Sequence, residues 1–382
     1  MSSAPPPDWD PHSADVHQDQ RAAYDKMRAR CPVAYSDALG WSLFRHEDIL
    51  AALHEPGVFS NVVSQHVAVP NGMDPPTHTA YRALIEPFFA PARMDAFEPA
   101  CRRITAELVQ RAHAAGRIDA MADLALPFSI RVQCAFLGWP DDLLPQLLQW
   151  TQKQGEATRS QDREALARQA QVFDTIIDDM LQYCASAAAP PNVTAELLDT
   201  QLDGAPLRTA EIVSILRNWT AGEIGTISAS VGIVMQFLAE QPDIQTDLRT
   251  RPEQLDEAID EILRLYGPLV LNRRVTTCPI DVGGRHIPAA SRLSLVWMAG
   301  NRDDDAFAEA DHFQLGRDPD RNLLYGAGIH VCPGAPLARL ELRMIVEELL
   351  ARTSAIEPDP TVPTVHAIYP DSGYSRLPIR LR

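Results

Sequence analysis

The sequence predicts a mainly α fold with small β-sheets, organised as one large helical domain. Apolar residues recur at helical spacing along most of the chain, placing them on one face of successive helices. Strand-like alternation is confined to a few short pieces. At 382 residues, length alone would suggest two or three domains, yet no linker, repeat or low-complexity tract follows residue 20.

In chain order, residues 1–15, rich in Pro, Ser and Asp, read as a mobile arm, leaving 16–382 as the domain. Helical periodicity covers 18–30, strand-like pieces fall at 33–36 and 41–44, and helices follow at 45–54 and 78–90. Asp74-Pro75-Pro76-Thr77 supplies the start signal for the second of these helices. Further helical stretches run over 95–114, 120–137, 141–152, 161–185 and 209–240. The stretch at 252–266 stops at Gly267-Pro268. Strand-like pieces then occupy 271–276, 279–282 and 293–296, with Asp281–Pro288 as a hairpin turn. Residues 300–325 read as a long structured loop, a Gly-rich bend follows, and 336–352 is helical.

An apolar content of 46% is ample for a buried core. No run approaches the ~20 apolar residues of a membrane span, and the N-terminus lacks a basic-then-apolar signal, so a cytoplasmic location is expected. A net charge of −17 argues against nucleic acid or an anionic membrane as partner. The basic residues are Arg apart from Lys26 and Lys153, and Arg forks suit carboxylates. Six cysteines form no CxxC pair and no metal spacing, so Cys31, Cys101, Cys134, Cys184 and Cys278 read as small residues in a reducing compartment.

Cys332 differs from these by its setting, Tyr325-Gly326-Ala327-Gly328-Ile329-His330-Val331-Cys332-Pro333-Gly334 followed by a helix. Gly326, Gly328 and Gly334 let backbone approach a flat ligand. The start of a helix and nearby N–H groups lower a thiol's pKa. A thiolate so held is a candidate axial ligand to haem iron, whereas a bare cysteine is usually a buried structural residue. Pro333 has no N–H, so one hydrogen bond to sulfur is lost, and Tyr325 carries a hydroxyl that needs a partner.

The segment resembles the haem-binding signature of the cytochrome P450 family, with Tyr325 where Phe is usual, and the following Ala-Pro-Leu-Ala-Arg-Leu-Glu run is similar to soluble bacterial members. The resemblance implies the P450 fold, haem b as cofactor, and Cys332 as iron ligand within a loop whose Tyr325, Gly326, His330 and Gly334 border the haem. His78 and Arg82, at i,i+4, share a helix face, which suits two propionates or simply solvated charges. Arg274 matches the family's third propionate ligand. Glu261 and Arg264, at i,i+3, would by spacing alone be a surface salt bridge worth a few tenths of a kcal/mol. The resemblance makes them a buried structural pair locked to the loop around Asn301–Phe313.

Ala221-Gly222-Glu223-Ile224-Gly225-Thr226 resembles the family's Ala-Gly-x-acid-Thr segment over the haem, with Ala221 and Gly222 bordering the cofactor. The acid position holds Ile224 and the alcohol position Gly225. Glu223 and Thr226 each stand one residue away, turned about 100° along the helix. Either a local distortion brings Thr226 or Glu223 inward, or water and substrate carry the proton. Val63, Ala68, Ala221, Gly225, Val270, Leu271 and Ile368 are expected to line a small, mostly apolar pocket with room for a flat ring. The resemblance thus implies a haem-thiolate monooxygenase acting on a small aromatic compound by hydroxylation or oxidative O-dealkylation. Electrons would come from a ferredoxin or flavodoxin-type donor with an NAD(P)H-dependent reductase, docking near Arg93, Arg102, Arg103, Arg339 and Arg343. A peroxide-driven peroxygenase and a non-catalytic haem-binding or recruitment domain are the alternatives.

Overall fold

A computed structural model describes residues 5–186 and 191–382. Its axis is the Thr209–Glu240 helix, here called the central helix, most of whose side chains from Ile224 onward are buried. Against it pack the helices Leu126–Leu137, Arg163–Cys184, Leu255–Tyr266 and Ala335–Arg352, and the last of these also lies along Pro91–Ala115. Their apolar faces merge into one large core running from Val69 to Leu381. Ala120–Leu137 and Thr209–Glu240 are long and apolar enough to cross a membrane, but 61% and 67% of their most apolar windows are buried inside the protein. Their apolarity is therefore used largely as core.

Local chemistry sets the helix ends. Asp19 and Asp162 cap their helices by accepting from the N–H groups of Ala22 and Ala165. Gly138 ends the Leu126–Leu137 helix at φ +79°, and a Cβ there would fall 2.1 Å from that of Asn192, so only glycine fits. The stretch expected as helix over 120–137 opens with a π-helical segment, Ala120–Ala125, held at its start by the Asp119 carboxylate on Met121 N–H. The helix expected at 141–152 continues to Ser160, and Gln161, at φ +55°, then turns the chain into the next helix.

A five-stranded sheet runs in the order Val33–Ser36, Gly40–Leu43, Arg292–Leu295, Asn272–Thr276, Phe59–Ser60. Only the Gly40–Leu43/Arg292–Leu295 pair is parallel. Leu293 stands opposite Arg274, so the strand presents that arginine from a fixed register. The turn expected over Asp281–Pro288 is itself a hairpin, Ile280–Val282 paired with Arg285–Ile287 around Gly283-Gly284. A three-stranded sheet joins Ile356–Pro358, Pro378–Leu381 and Arg117–Asp119, segments that the periodicity did not single out. Short helices at Ala14–Gln18, Val193–Leu198 and Pro242–Thr250 likewise go beyond the expected set.

The expected mobile arm needs correction from Asp8 onward. Asp8 exchanges backbone and side-chain bonds with Tyr35 and pairs with Arg285, and Trp9 packs edge-on against Tyr24 and Phe44. A half-buried indole anchors this segment to the small core under the sheet.

Candidate active site

The cysteine loop is built by turns that glycine alone allows. Asn322 caps the turn at Leu323–Tyr325, and Gly326 and Gly328 follow at φ +74° and +67°. At Gly328 a Cβ would meet the Leu53 carbonyl oxygen at 2.4 Å, so the loop rests directly on the backbone of a neighbouring helix. Cys332 N–H donates to the Tyr325 carbonyl at 2.8 Å and closes the loop. Cys332 retains accessible surface although the surrounding protein crowds it closely. Burial pushes its thiol up, and the N–H groups of Gly334 and Ala335 pull it down. The expected lowering is therefore outweighed by burial in the protein without its metal, since a thiolate here lacks a cation. The two N–H groups act on the sulfur despite Pro333. Tyr325's hydroxyl turns toward Asp260, and the Arg339 guanidinium lies 4.6 Å from its ring centre.

Four basic side chains gather at this loop, one of them the loop's own His330. His78 is 2% exposed, and neither ring nitrogen has a partner. His330 lies with its ring centre 4.1 Å from that of His78, and its Nε2 is also unpartnered. Arg82 donates to the Val331 carbonyl at 2.5 Å and pairs with Glu86. Among the described residues, the buried Arg274 bonds only the neighbouring Arg273 carbonyl. Burial and the repulsion of His78, Arg274 and Arg82 push His330 down to about 3. Burial takes Arg274 down to about 10. Asp74 is the nearby counter-charge, and it is engaged by Ser60 Oγ at 2.5 Å and Asn61 N at 2.9 Å. The buried Arg274 has no ion-pair partner among the described residues, and the histidine rings have unfilled nitrogens, so this cluster fits an anionic ligand.

The central helix crosses within electrostatic range of Cys332 and stays α-helical throughout. Gly222 and Gly225 face open space, and nothing lies within 4 Å of where their Cβ atoms would be. Ala221 is half-buried, and Ile224 is sealed in the core at 1% exposure. Thr226 Oγ donates to the Gly222 carbonyl at 2.8 Å. No distortion is needed for this, because residues four apart share a helix face. Thr226 lies one helical turn after Gly222, and its hydroxyl is held by that turn's own carbonyl. Glu223 turns the other way and meets Glu341.

The expected pocket walls divide. Val62, Val63 and Val67 are exposed apolar side chains. The segment carrying Ala68 is pinned to the central helix, Ser214 bonding Val67 and Val69 while Asn218 donates to the Val69 carbonyl. Ile368 is half-buried. Val270 does not serve as an open wall: its side chain is buried with Tyr24, Phe44 and Tyr369, and Leu271 packs partly against the same cluster. A separate cavity of about 160 Å³, lined by residues including His17, Arg21, Tyr266 and Tyr374, holds none of these site groups.

Glu261 and Arg264 are 5% and 1% exposed and meet in a two-pronged pair at 2.7 and 2.9 Å. Arg264 also donates to the carbonyls of Asn301 and Ala310, while Glu261 accepts from Gln314 N–H and Arg317. The loop before the cysteine is thereby tied to the Leu255–Tyr266 helix. Arg317 was not singled out from the sequence, since nothing local marks a loop arginine as buried.

A family model for cytochrome P450 matches residues 253–366. Cyclomarin C epoxidase CymV of Salinispora arenicola is 31% identical over 336 residues, 83% of this chain and 84% of that protein. Linalool 8-monooxygenase of Pseudomonas putida is 27% identical, covering 87% and 89%. The open structure of cytochrome P450 EryK from S. erythraea superposes with a TM-score of 0.86 at 27% identity, covering 96% and 97%. The chain belongs to the cytochrome P450 family. It is a haem-b monooxygenase, and members of this family take electrons from redox partners and act on small organic substrates.

Proposed function

We propose that this chain oxidises a small, mostly apolar aromatic compound, by hydroxylation or oxidative O-dealkylation. The observation that carries the proposal is the pairing of an open glycine face at Gly222 and Gly225 with exposed Val62, Val63 and Val67. Those glycines remove bulk where a flat ring needs space, and the valines offer an apolar surface without hydrogen-bonding demands.

When bound, haem supplies dioxygen activation through a thiolate-ligated iron. In this reading Cys332 is the axial ligand, and His78, Arg82, Arg274 and His330 hold the propionates, the two histidines through ring nitrogens otherwise left unpartnered. Thr226 places a hydroxyl at the rim of the glycine groove. Glu261 and Arg264 hold the loop. Electrons come from a ferredoxin or flavodoxin-type donor with an NAD(P)H-dependent reductase, in the cytoplasm. Of the arginines expected at the docking face, Arg93, Arg102, Arg339 and Arg343 are already paired with acids, leaving the exposed Arg103 without a described partner. Docking therefore depends less on basic charge than the sequence suggested.

The test is an absorbance titration of the ferric haem protein with methoxy- and alkyl-aromatic compounds. A low-to-high-spin shift with these ligands is expected. A shift with macrocycles or steroids alone overturns the substrate reading. The buried Ile224 at the acid position favours one second reading, a peroxygenase, which predicts turnover on low peroxide without reductase.

A further inference from the structure

Monooxygenation consumes two protons as one oxygen atom leaves as water, yet Ala221, Gly222, Gly225 and Thr226 bring no acid to the groove. Directly behind them lies an unusual pair. Glu223 leaves the central helix on the side away from Gly222 and Gly225 and meets Glu341 of the Ala335–Arg352 helix. Glu341 is 0% exposed, and neither of its carboxyl oxygens has a donor. Glu223 Oε1 is likewise buried and unpartnered.

Among the described residues no cation offsets the two carboxyls. Arg102 and Arg343, on the flanking helices, are committed to Glu98, Glu347 and Asp256. From the Pro91–Ala115 helix the facing titratable group is Cys101, which burial and the charge of Glu341 keep as a neutral thiol. Cys332 is a further titratable group within electrostatic reach of Glu223. Two bare anions in such a place are prohibitive, so a carboxyl–carboxyl contact here requires at least one shared proton. Burial raises both groups, and mutual repulsion adds to this at Glu341. Thr226 Oγ, which bonds the Gly222 carbonyl at 2.8 Å, also lies 3.4 Å from the carbonyl of Glu223. One glycine-bearing helical turn thus separates the pair from the groove.

We propose that Glu223 and Glu341 form a proton-holding pair that supplies the oxygen groove, replacing an acid at Ile224. This rests on the monooxygenase reading. In each transfer a carboxyl O–H bond of the pair would break, water would relay the proton across the glycine-bearing turn to the oxygen that leaves as water, and the pair would recover its proton from solvent. The two glutamates are positioned behind the reacting atoms and do not touch them.

The test uses the haem-loaded protein and its Glu223→Gln, Glu341→Gln and double variants. Infrared difference spectra are expected to show a protonated buried carboxyl in the wild type at neutral pH, shifted in deuterium oxide and absent from the double variant. In reductase-coupled turnover, the fraction of electrons lost as hydrogen peroxide is expected to rise with pH in the wild type. In the double variant it becomes several-fold higher and independent of pH. Absence of the protonated carboxyl in the wild type overturns the proposal. So does a double variant whose peroxide fraction and pH profile match the wild type. A normal thiolate carbon-monoxide spectrum in each variant separates these outcomes from failure of the haem-site reading. Should the double variant not take up haem, the single variants carry the test: each removes one carboxyl of the pair, so the protonated-carboxyl band is expected to shift and the peroxide fraction to rise, and single variants that match the wild type in both overturn the proposal.

Discussion

At the scale of single residues, position in the sequence and position in space part company most clearly at Glu261. As an i,i+3 partner of Arg264 it is commonplace. In the fold it takes charge from both Arg264 and Arg317 while almost wholly buried. Glu261→Gln keeps the shape and removes the charge, leaving two guanidinium groups uncompensated. Breaking a buried pair from one side costs about 3–5 kcal/mol. The variant is expected to lose haem on purification and to melt well below the wild type, measured by the thermal midpoint of the Soret band. An unchanged midpoint would mean that water enters and solvates the arginines. Residue-level reading of the sequence singled out Cys332, His78, Arg82 and Arg274, because each has a side chain whose chemistry is distinctive at its spacing. It could not choose the directions of Glu223 and Thr226, which depend on what packs around the helix.

At the scale of elements, the central helix is a compromise between helix stability and an open groove. Gly222 and Gly225 cost a helix interior roughly 0.5–1 kcal/mol each relative to alanine. Nothing occupies the space that their Cβ atoms would take. Gly222→Ala should therefore raise thermal stability slightly, by up to about 1 kcal/mol, while weakening the spin shift with aromatic ligands and slowing turnover. Stability and function moving in opposite directions is the signature to seek in paired melting and titration experiments. A loss of both would mean that the helix needs the glycine for packing. The cysteine loop is the opposite case. Gly328→Ala forces a left-handed residue against the Leu53 carbonyl, so stability and haem binding should fall together.

At the scale of the whole molecule, buried carboxyls shape the response to pH. Glu223 and Glu341 have raised values in the folded chain, so between the ordinary carboxylate range and their folded values the native state holds protons that the unfolded state has released. Stability from this source is greatest at acid pH and is lost as pH rises through the folded values. Asp359 runs the other way. Bonds from Arg380 and Thr361 hold it below the usual range, so its contribution is present near neutrality and is lost as pH falls below about 4. Replacing both Glu223 and Glu341 by Gln is expected to flatten the decline of the thermal midpoint from pH 6 to 9, roughly the window set by such raised groups, and to leave the acid limb unchanged. An unaltered alkaline limb would place the responsible groups elsewhere.

The sequence by itself determined the helical character, the order of the main helices and the family, and it singled out the cysteine proposed to hold iron. Those follow from periodicity and from side chains whose chemistry depends on near neighbours along the chain. Only the tertiary structure decided that Ile356–Pro358 and Pro378–Leu381 join Arg117–Asp119 in one sheet, that Trp9 docks the N-terminal segment, and that Val270 is core instead of pocket wall. It also decided that four of the five candidate docking arginines are already paired. Each of these depends on a partner far away in sequence, and neither spacing nor residue type records which surface that partner brings.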